Sequence, residues 1–220
     1  MFNMMFGTPM IINNIGLPEK DLKRMKKSLA EREKLVSGKF NLYTGDTNED
    51  DFTESQILSK PEFECLVEPI LKHARLYVES ITSHSDEYQQ YIMKSWPVLI
   101  RTGGSVQKHT HEYAHLSAVF YFDDPEPDSG GNICFVRPAE QSVRHVGINE
   151  VLLDQDSSGM FVHIKPKKNG LIIFPAVVPH YVSHYTGKKP RFSLSCDIMN
   201  IKTKGKTEAS LISLDQWITI

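Results

Sequence analysis

Several things are scarce in this chain, and each scarcity excludes something. Its 220 residues hold three cysteines, Cys65, Cys134 and Cys196, scattered and without a C-x-x-C spacing. That rules out a disulfide framework and points to a reducing, cytoplasmic setting, with each thiol expected as a small buried apolar side chain. Charge of neither sign dominates. The 25 basic and 27 acidic residues leave a net charge of -2, which removes the electrostatic footprint of a general nucleic-acid binder. No apolar run approaches membrane-spanning length, and there are no repeats or low-complexity tracts. Met1 to Leu17 is apolar but lacks a basic n-region and carries Asn13-Asn14 followed by Gly16. It is expected as an opening strand rather than a targeting segment.

What is present suggests one domain over residues 1–220, with a helical support region over 1–95 and a β core over 96–220. Pro18 to Val36 begins with Pro, Glu and Asp near its first turn and repeats Leu22, Met25, Leu29 and Val36 on one side, which predicts an amphipathic helix. From Pro61, apolar residues recur from Phe63 to Ile81 with a 3.6 period, and Pro69 is expected to kink that second helix. Between them, 38–59 is polar and is expected as a surface loop. After Trp96 the pattern turns to short apolar runs broken by Gly and Pro, such as Leu171 to Phe174. Seven or so such strands predict a sandwich or jelly roll, so the fold class is mainly β. The polar stretch 138–159 is long for a loop and is expected as a lid near a site.

One segment carries two incompatible metal motifs. Residues 109–115 read His-Thr-His-Glu-Tyr-Ala-His. His111-Glu112-Tyr113-Ala114-His115 spells H-E-x-x-H, which on a helix would hold zinc and place Glu112 to activate water in a metallopeptidase. The β-branched and aromatic residues that follow read as a strand and count against a helix. Alternatively, His109 and His111 share one face of an extended strand, and a third imidazole from a distant strand would close three positions around a divalent metal, leaving others open. His180 follows a buried strand that ends in Phe174-Pro175. Beyond it, Arg191, Ser193 and Ser195 share one face of the next strand, a plausible carboxylate receptor.

Taken together, Phe6-Gly7-Thr8-Pro9, Trp96, Gly104, His109-Thr110-His111, Leu116 to Tyr121, Ser129-Gly130-Gly131, Phe174-Pro175, His180 and Arg191-Phe192-Ser193 resemble the iron- and 2-oxoglutarate-dependent oxygenases. The likeness is to small members from phages and marine bacteria and, more distantly, to prolyl hydroxylases. It implies a double-stranded β-helix, a jelly roll with a helical layer packed on it. It implies iron(II) on His109, His111 and His180, and the distal carboxylate of 2-oxoglutarate on Arg191, helped by Ser193 and Tyr121. The activity implied is hydroxylation of an unidentified substrate by dioxygen, with a peptidyl, prolyl-hydroxylase-like target as the candidate class, releasing succinate and carbon dioxide, with ascorbate as a reductant. The location implied is cytoplasmic, the host cytoplasm for a phage-encoded chain, and an oligomer is compatible. One departure stands out: the wider superfamily has H-x-D or H-x-E, and here His111 holds the carboxylate's position. Besides the zinc peptidase, a non-catalytic jelly roll that binds metal or another ligand is the other alternative. His115, His145, His163 and His184 are expected to be structural or surface residues.

Overall fold

The computed structural model describes residues 8–36, 56–136 and 161–203, and of residues 33–36 the backbone alone. The expected lid over 138–159, His145, Phe6-Gly7 and most of the expected 38–59 loop lie outside the described residues. Two antiparallel sheets and two helices account for the architecture. In chain order the strands and helices are β1 (Ile11–Asn14), α1 (Glu19–Val36), α2 (Glu64–Ile81), β2 (Tyr88–Ile100), β3 (Val106–His109), β4 (Leu116–Tyr121), β5 (Ile133–Val136), β6 (Phe161–Ile164), β7 (Gly170–Pro175), β8 (His180–Val182) and β9 (Arg191–Lys202). The larger sheet has the order β1-β7-β4-β9-β2 and the smaller one β3-β8-β5-β6. This is the mainly β jelly roll expected from the strand pattern.

The helices form because their apolar residues recur at helical spacing, and they stay because that stripe is buried. Glu19 and Asp21 sit in the first turn of α1, where the helix dipole favours negative charge. Leu22, Met25 and Leu29 of α1 join Leu66, Ile70 and Ala74 of α2 in one core cluster with Phe120, Leu171, Leu194 and Ile198 of the larger sheet. Each fully buried Leu, Ile or Phe contributes roughly 1.5–3 kcal/mol, so this layer is where most of the stability of the sheet's outer face resides. Pro69 lies inside α2, which runs unbroken from Glu64 to Ile81. The His73 ring ties the helix to β1: its Nδ1–H donates to the Pro69 carbonyl at 2.7 Å, and its Nε2 accepts from the Asn13 amide at 2.8 Å.

Three details differ from the sequence expectation. Ile57 and Leu58, placed in a surface loop, form a short 3-10 turn buried in the core, where the Leu58 N–H donates to Ser95 Oγ at 3.0 Å. A polar neighbourhood hid two apolar residues that anchor it. Cys65 is only half-buried, while Cys134 and Cys196 are buried; all three are free thiols. Finally, β1 and the first half of β2 precede Trp96 yet belong to the larger sheet. β2 is its edge strand, which is why Pro97 is tolerated there without a ladder donor.

Strand β4 reads Leu-Ser-Ala-Val-Phe-Tyr and is buried throughout. Its pleat divides it. Leu116, Ala118 and Phe120 face the helices, whereas Ser117, Val119 and Tyr121 line a cavity between the two sheets. Strand β9 divides the same way: Leu194, Cys196 and Ile198 join the helical core, and Arg191, Ser193, Ser195 and Asp197 line the cavity.

Candidate active site

The cavity has a volume of about 250 Å³ and draws its walls from both sheets. At one place in it three imidazoles meet. His109 ends β3 and pairs in register with His180, the first residue of β8. His111 lies two residues past the end of β3, in the connection to β4, so it does not share a strand face with His109 as expected. It reaches the same point because its backbone N–H donates at 2.9 Å to the carbonyl of Ala176, in the turn between β7 and β8. Each ring offers one nitrogen, and the three lie within 4.8 Å of one another. The rings pack closely, with His109 and His180 centroids 4.3 Å apart and His111 nearly parallel to His180 at 5.2 Å. Trp96 stacks on the other side of His111 at 5.5 Å.

The partners of these rings fix which nitrogen is available. Nδ1 of His109 faces the Gln107 carbonyl at 2.8 Å, and Nδ1 of His180 faces the Val178 carbonyl at 2.9 Å. Nδ1 of His111 faces the Asp197 carboxylate, 3.0 Å from Oδ1 and 3.2 Å from Oδ2. Carbonyls and carboxylates only accept, so each Nδ1 carries the proton and each Nε2 keeps a free lone pair. Burial pushes His180 down from 6.5 to about 3 and lowers His109 as well. Both imidazoles are therefore neutral near neutral pH, the form that binds metal. Three imidazoles converging in a cavity fit a divalent transition metal.

The zinc-peptidase geometry is absent. Residues 111–115 form a turn rather than a helix, and Glu112 is exposed. His115 is held elsewhere, its Nδ1 accepting the Asn200 N–H at 3.0 Å. His163 and His184 are exposed.

The same cavity reaches Arg191 at the start of β9. Arg191 is buried, yet its Nε and Nη1 make no hydrogen bond, and the Tyr121 hydroxyl beside it makes none either. Its guanidinium lies 5.0 Å from the centre of the Tyr121 ring. Desolvation lowers Arg191 from its ordinary value and raises Tyr121. A guanidinium still remains charged in a protein, and the phenol remains a neutral donor. Unsatisfied donors on a buried cation are costly unless an anion completes them. Ser193, paired with Tyr121 across the strands, is buried next to them. Gly131 closes this end. With φ at +68°, a Cβ there would stand 2.9 Å from the Tyr185 ring and 3.2 Å from Arg191 Cδ.

Asp197 is the residue that the sequence reading missed. It is buried, it accepts the Ser117 hydroxyl at 2.8 Å, and it lies directly across from Ser117 in the β4–β9 ladder. The signal was available: the alternation that groups Arg191, Ser193 and Ser195 reaches Asp197 at its next step.

Comparison with known proteins supplies the context. Residues 94–197 match the model of a family described as "Putative 2OG-Fe(II) oxygenase". No curated protein matches the sequence. Among solved structures, a prolyl-4-hydroxylase from Pseudomonas putida aligns with a TM-score of 0.54 at 15% identity, over 87% of this chain and 88% of that one. AviO1 from Streptomyces viridochromogenes aligns with a TM-score of 0.60 at 13% identity, over 93% and 92%. HygX from Streptomyces hygroscopicus, solved with nickel and 2-oxoglutarate bound, aligns with a TM-score of 0.55 at 10% identity, over 87% and 82%. At these identities the structural likeness concerns the fold. Every cavity residue named above falls within the matched 94–197 segment.

Proposed function

We propose, from the premise that this chain belongs to the iron(II)- and 2-oxoglutarate-dependent oxygenase superfamily, that it hydroxylates a substrate still to be identified, with iron(II) on His109, His111 and His180. The observation that carries the reading is Arg191. It is a buried cation with two unpaired nitrogens, opening into the cavity that holds the three imidazoles. A ligand with an anionic end remote from a metal-chelating end satisfies both places at once, and 2-oxoglutarate is such a ligand.

Each group has a separate task. The three imidazoles would hold the ion through Nε2, a ligand set that would still admit exogenous ligands. Arg191 receives the distal carboxylate through charge-assisted hydrogen bonds, with the Tyr121 and Ser193 hydroxyls as further donors. Val119, Ile133, Phe174 and Val182 line the walls and keep water away from the reacting groups. Iron and 2-oxoglutarate supply the activation of dioxygen, in which the keto acid becomes succinate and carbon dioxide while one oxygen atom enters the substrate. Peptidyl proline is the first substrate class to test, as the resemblance to prolyl hydroxylases suggests. We treat residues 1–220 as a single oxygenase domain.

The test is turnover. The protein with iron(II), ascorbate and dioxygen should convert 2-oxoglutarate to succinate, slowly alone and faster with a true substrate. His180→Ala should abolish that conversion. A folded wild-type protein that releases no succinate under any of these conditions would refute the assignment.

A further inference from the structure

Three imidazoles give a metal site no negative charge, whereas a site with a carboxylate ligand has one. The cavity nonetheless contains a carboxylate one step further out. Asp197 is buried at 6% exposure, and the groups facing its oxygens are His111 Nδ1 and Ser117 Oγ. Its cross-strand neighbour on the other side is Lys94, but that ammonium lies over the Trp96 ring, 5.2 Å from its centre. A carboxylate buried without a cation is unfavourable. Ser117 is neutral and does not remove that penalty. The charge makes sense if a positive charge belongs on the far side of the His111 ring.

We propose that Asp197 is a positioning residue for the metal centre. It holds His111 in the Nδ1–H tautomer, so that Nε2 faces the ion, and it returns through the ring the negative charge that the three-histidine ligand set lacks. Ser117 and Trp96 complete the arrangement, Ser117 by donating to Asp197 Oδ1 and Trp96 by stacking on the His111 ring. Partners of this kind orient metal-bound histidines and raise their basicity. The proposal rests on the iron reading of the three histidines given above.

Two measurements on the full chain test it. Nitrogen-15 NMR of the histidine rings in the metal-free wild-type protein reads the tautomer directly and needs no variant to fold. It should show His111 protonated at Nδ1; protonation at Nε2 would overturn the proposal. Iron(II) affinity and the iron(III)/iron(II) potential should then be compared between wild type, Asp197→Asn and Ser117→Ala. Asparagine keeps the shape and one acceptor but removes the charge. It should weaken iron binding roughly 10–100-fold, the usual effect of losing such a partner, and raise the potential, because iron(III) gains more than iron(II) from a nearby anion. Ser117→Ala, which loosens the carboxylate without removing it, should shift both in the same direction by less. If wild type binds iron and Asp197→Asn matches it in affinity and potential, the positioning role fails alone. If wild type binds no iron, the oxygenase reading fails and this proposal falls with it.

Discussion

The two faces of strand β9 divide the molecule's labour. Leu194, Cys196 and Ile198 point into the helical core, where their surroundings are apolar and complete. Arg191, Ser193, Ser195 and Asp197 point into the cavity, where a cation, a phenol and a carboxylate sit in partly satisfied company. Alternation along one extended strand thus separates stability from chemistry by a single residue step. The helical face spends its residues on filling space. The cavity face keeps Arg191, whose Nε and Nη1 have no protein partner, and such sites reduce the stability of the empty protein. Substitutions on the two faces should therefore have opposite signatures.

The largest effect is expected on the cavity side. His180→Ala removes one of the three imidazoles proposed to hold iron and should abolish iron binding, as measured by competition with a chelator of known affinity. The fold should persist, because the ring contributes little to the helical core. Next in size, Phe120→Ala on the helical face should cost about 3–5 kcal/mol in chemical denaturation. Iron and 2-oxoglutarate affinities of the folded fraction should not change. If those affinities fall as well, the two faces are not independent.

Arg191→Ala should lower 2-oxoglutarate affinity roughly 10–100-fold, the range for losing charge-assisted hydrogen bonds of about 1.5–3 kcal/mol. The metal-free protein should be no less stable than wild type, and it gains if removing an unpaired buried cation outweighs the space left. A strongly destabilised Arg191→Ala would mean that the guanidinium is a structural element and would erase the contrast between the faces.

The smallest expected effect is one of pH, on the metal-free protein. His180 in the fold titrates near 3, against 6.5 in the unfolded chain. The folded state therefore binds fewer protons than the unfolded state between those values, and stability falls as pH drops below 6.5. Above 6.5 both states are neutral at this ring and it contributes no slope. The loss should reach about 2 kcal/mol near pH 5 from this group, at about 1.4 kcal/mol per pH unit. Denaturation midpoints measured from about pH 7 to about pH 5 check it.

Which parts of this were readable in the sequence follows from which signals are local. Both helices were legible because Leu22, Met25 and Leu29, and the longer series from Phe63 to Ile81, repeat with a helical period that few other structures produce. The long strands were legible by their apolar runs. Strand β3, Val-Gln-Lys-His, is too short and polar to announce itself, and its pairing with β8 is non-local. The position of His111 just beyond β3 depends on a backbone hydrogen bond to Ala176, a residue far along the chain, so spacing alone could not reveal it. Asp197 sits between Cys196 and Ile198 and looks like a lone charge in a buried strand. Its role becomes readable only when the inner face of β9 is known to border a cavity and Ser117 is known to be its cross-strand partner.

The most direct test of the central claim compares two keto acids in an anaerobic absorption titration of the iron(II)-loaded protein. 2-Oxoglutarate and 2-oxopentanoate share the chelating end and the chain length, but only the first has a distal carboxylate. Wild type should bind 2-oxoglutarate roughly 10–100-fold more tightly, by the same charge-assisted bonds, and Arg191→Ala should bind the two about equally. Equal binding of both acids by the wild-type protein would show that Arg191 does not read the distal carboxylate, and the reading of the cavity as a two-ended site would be wrong.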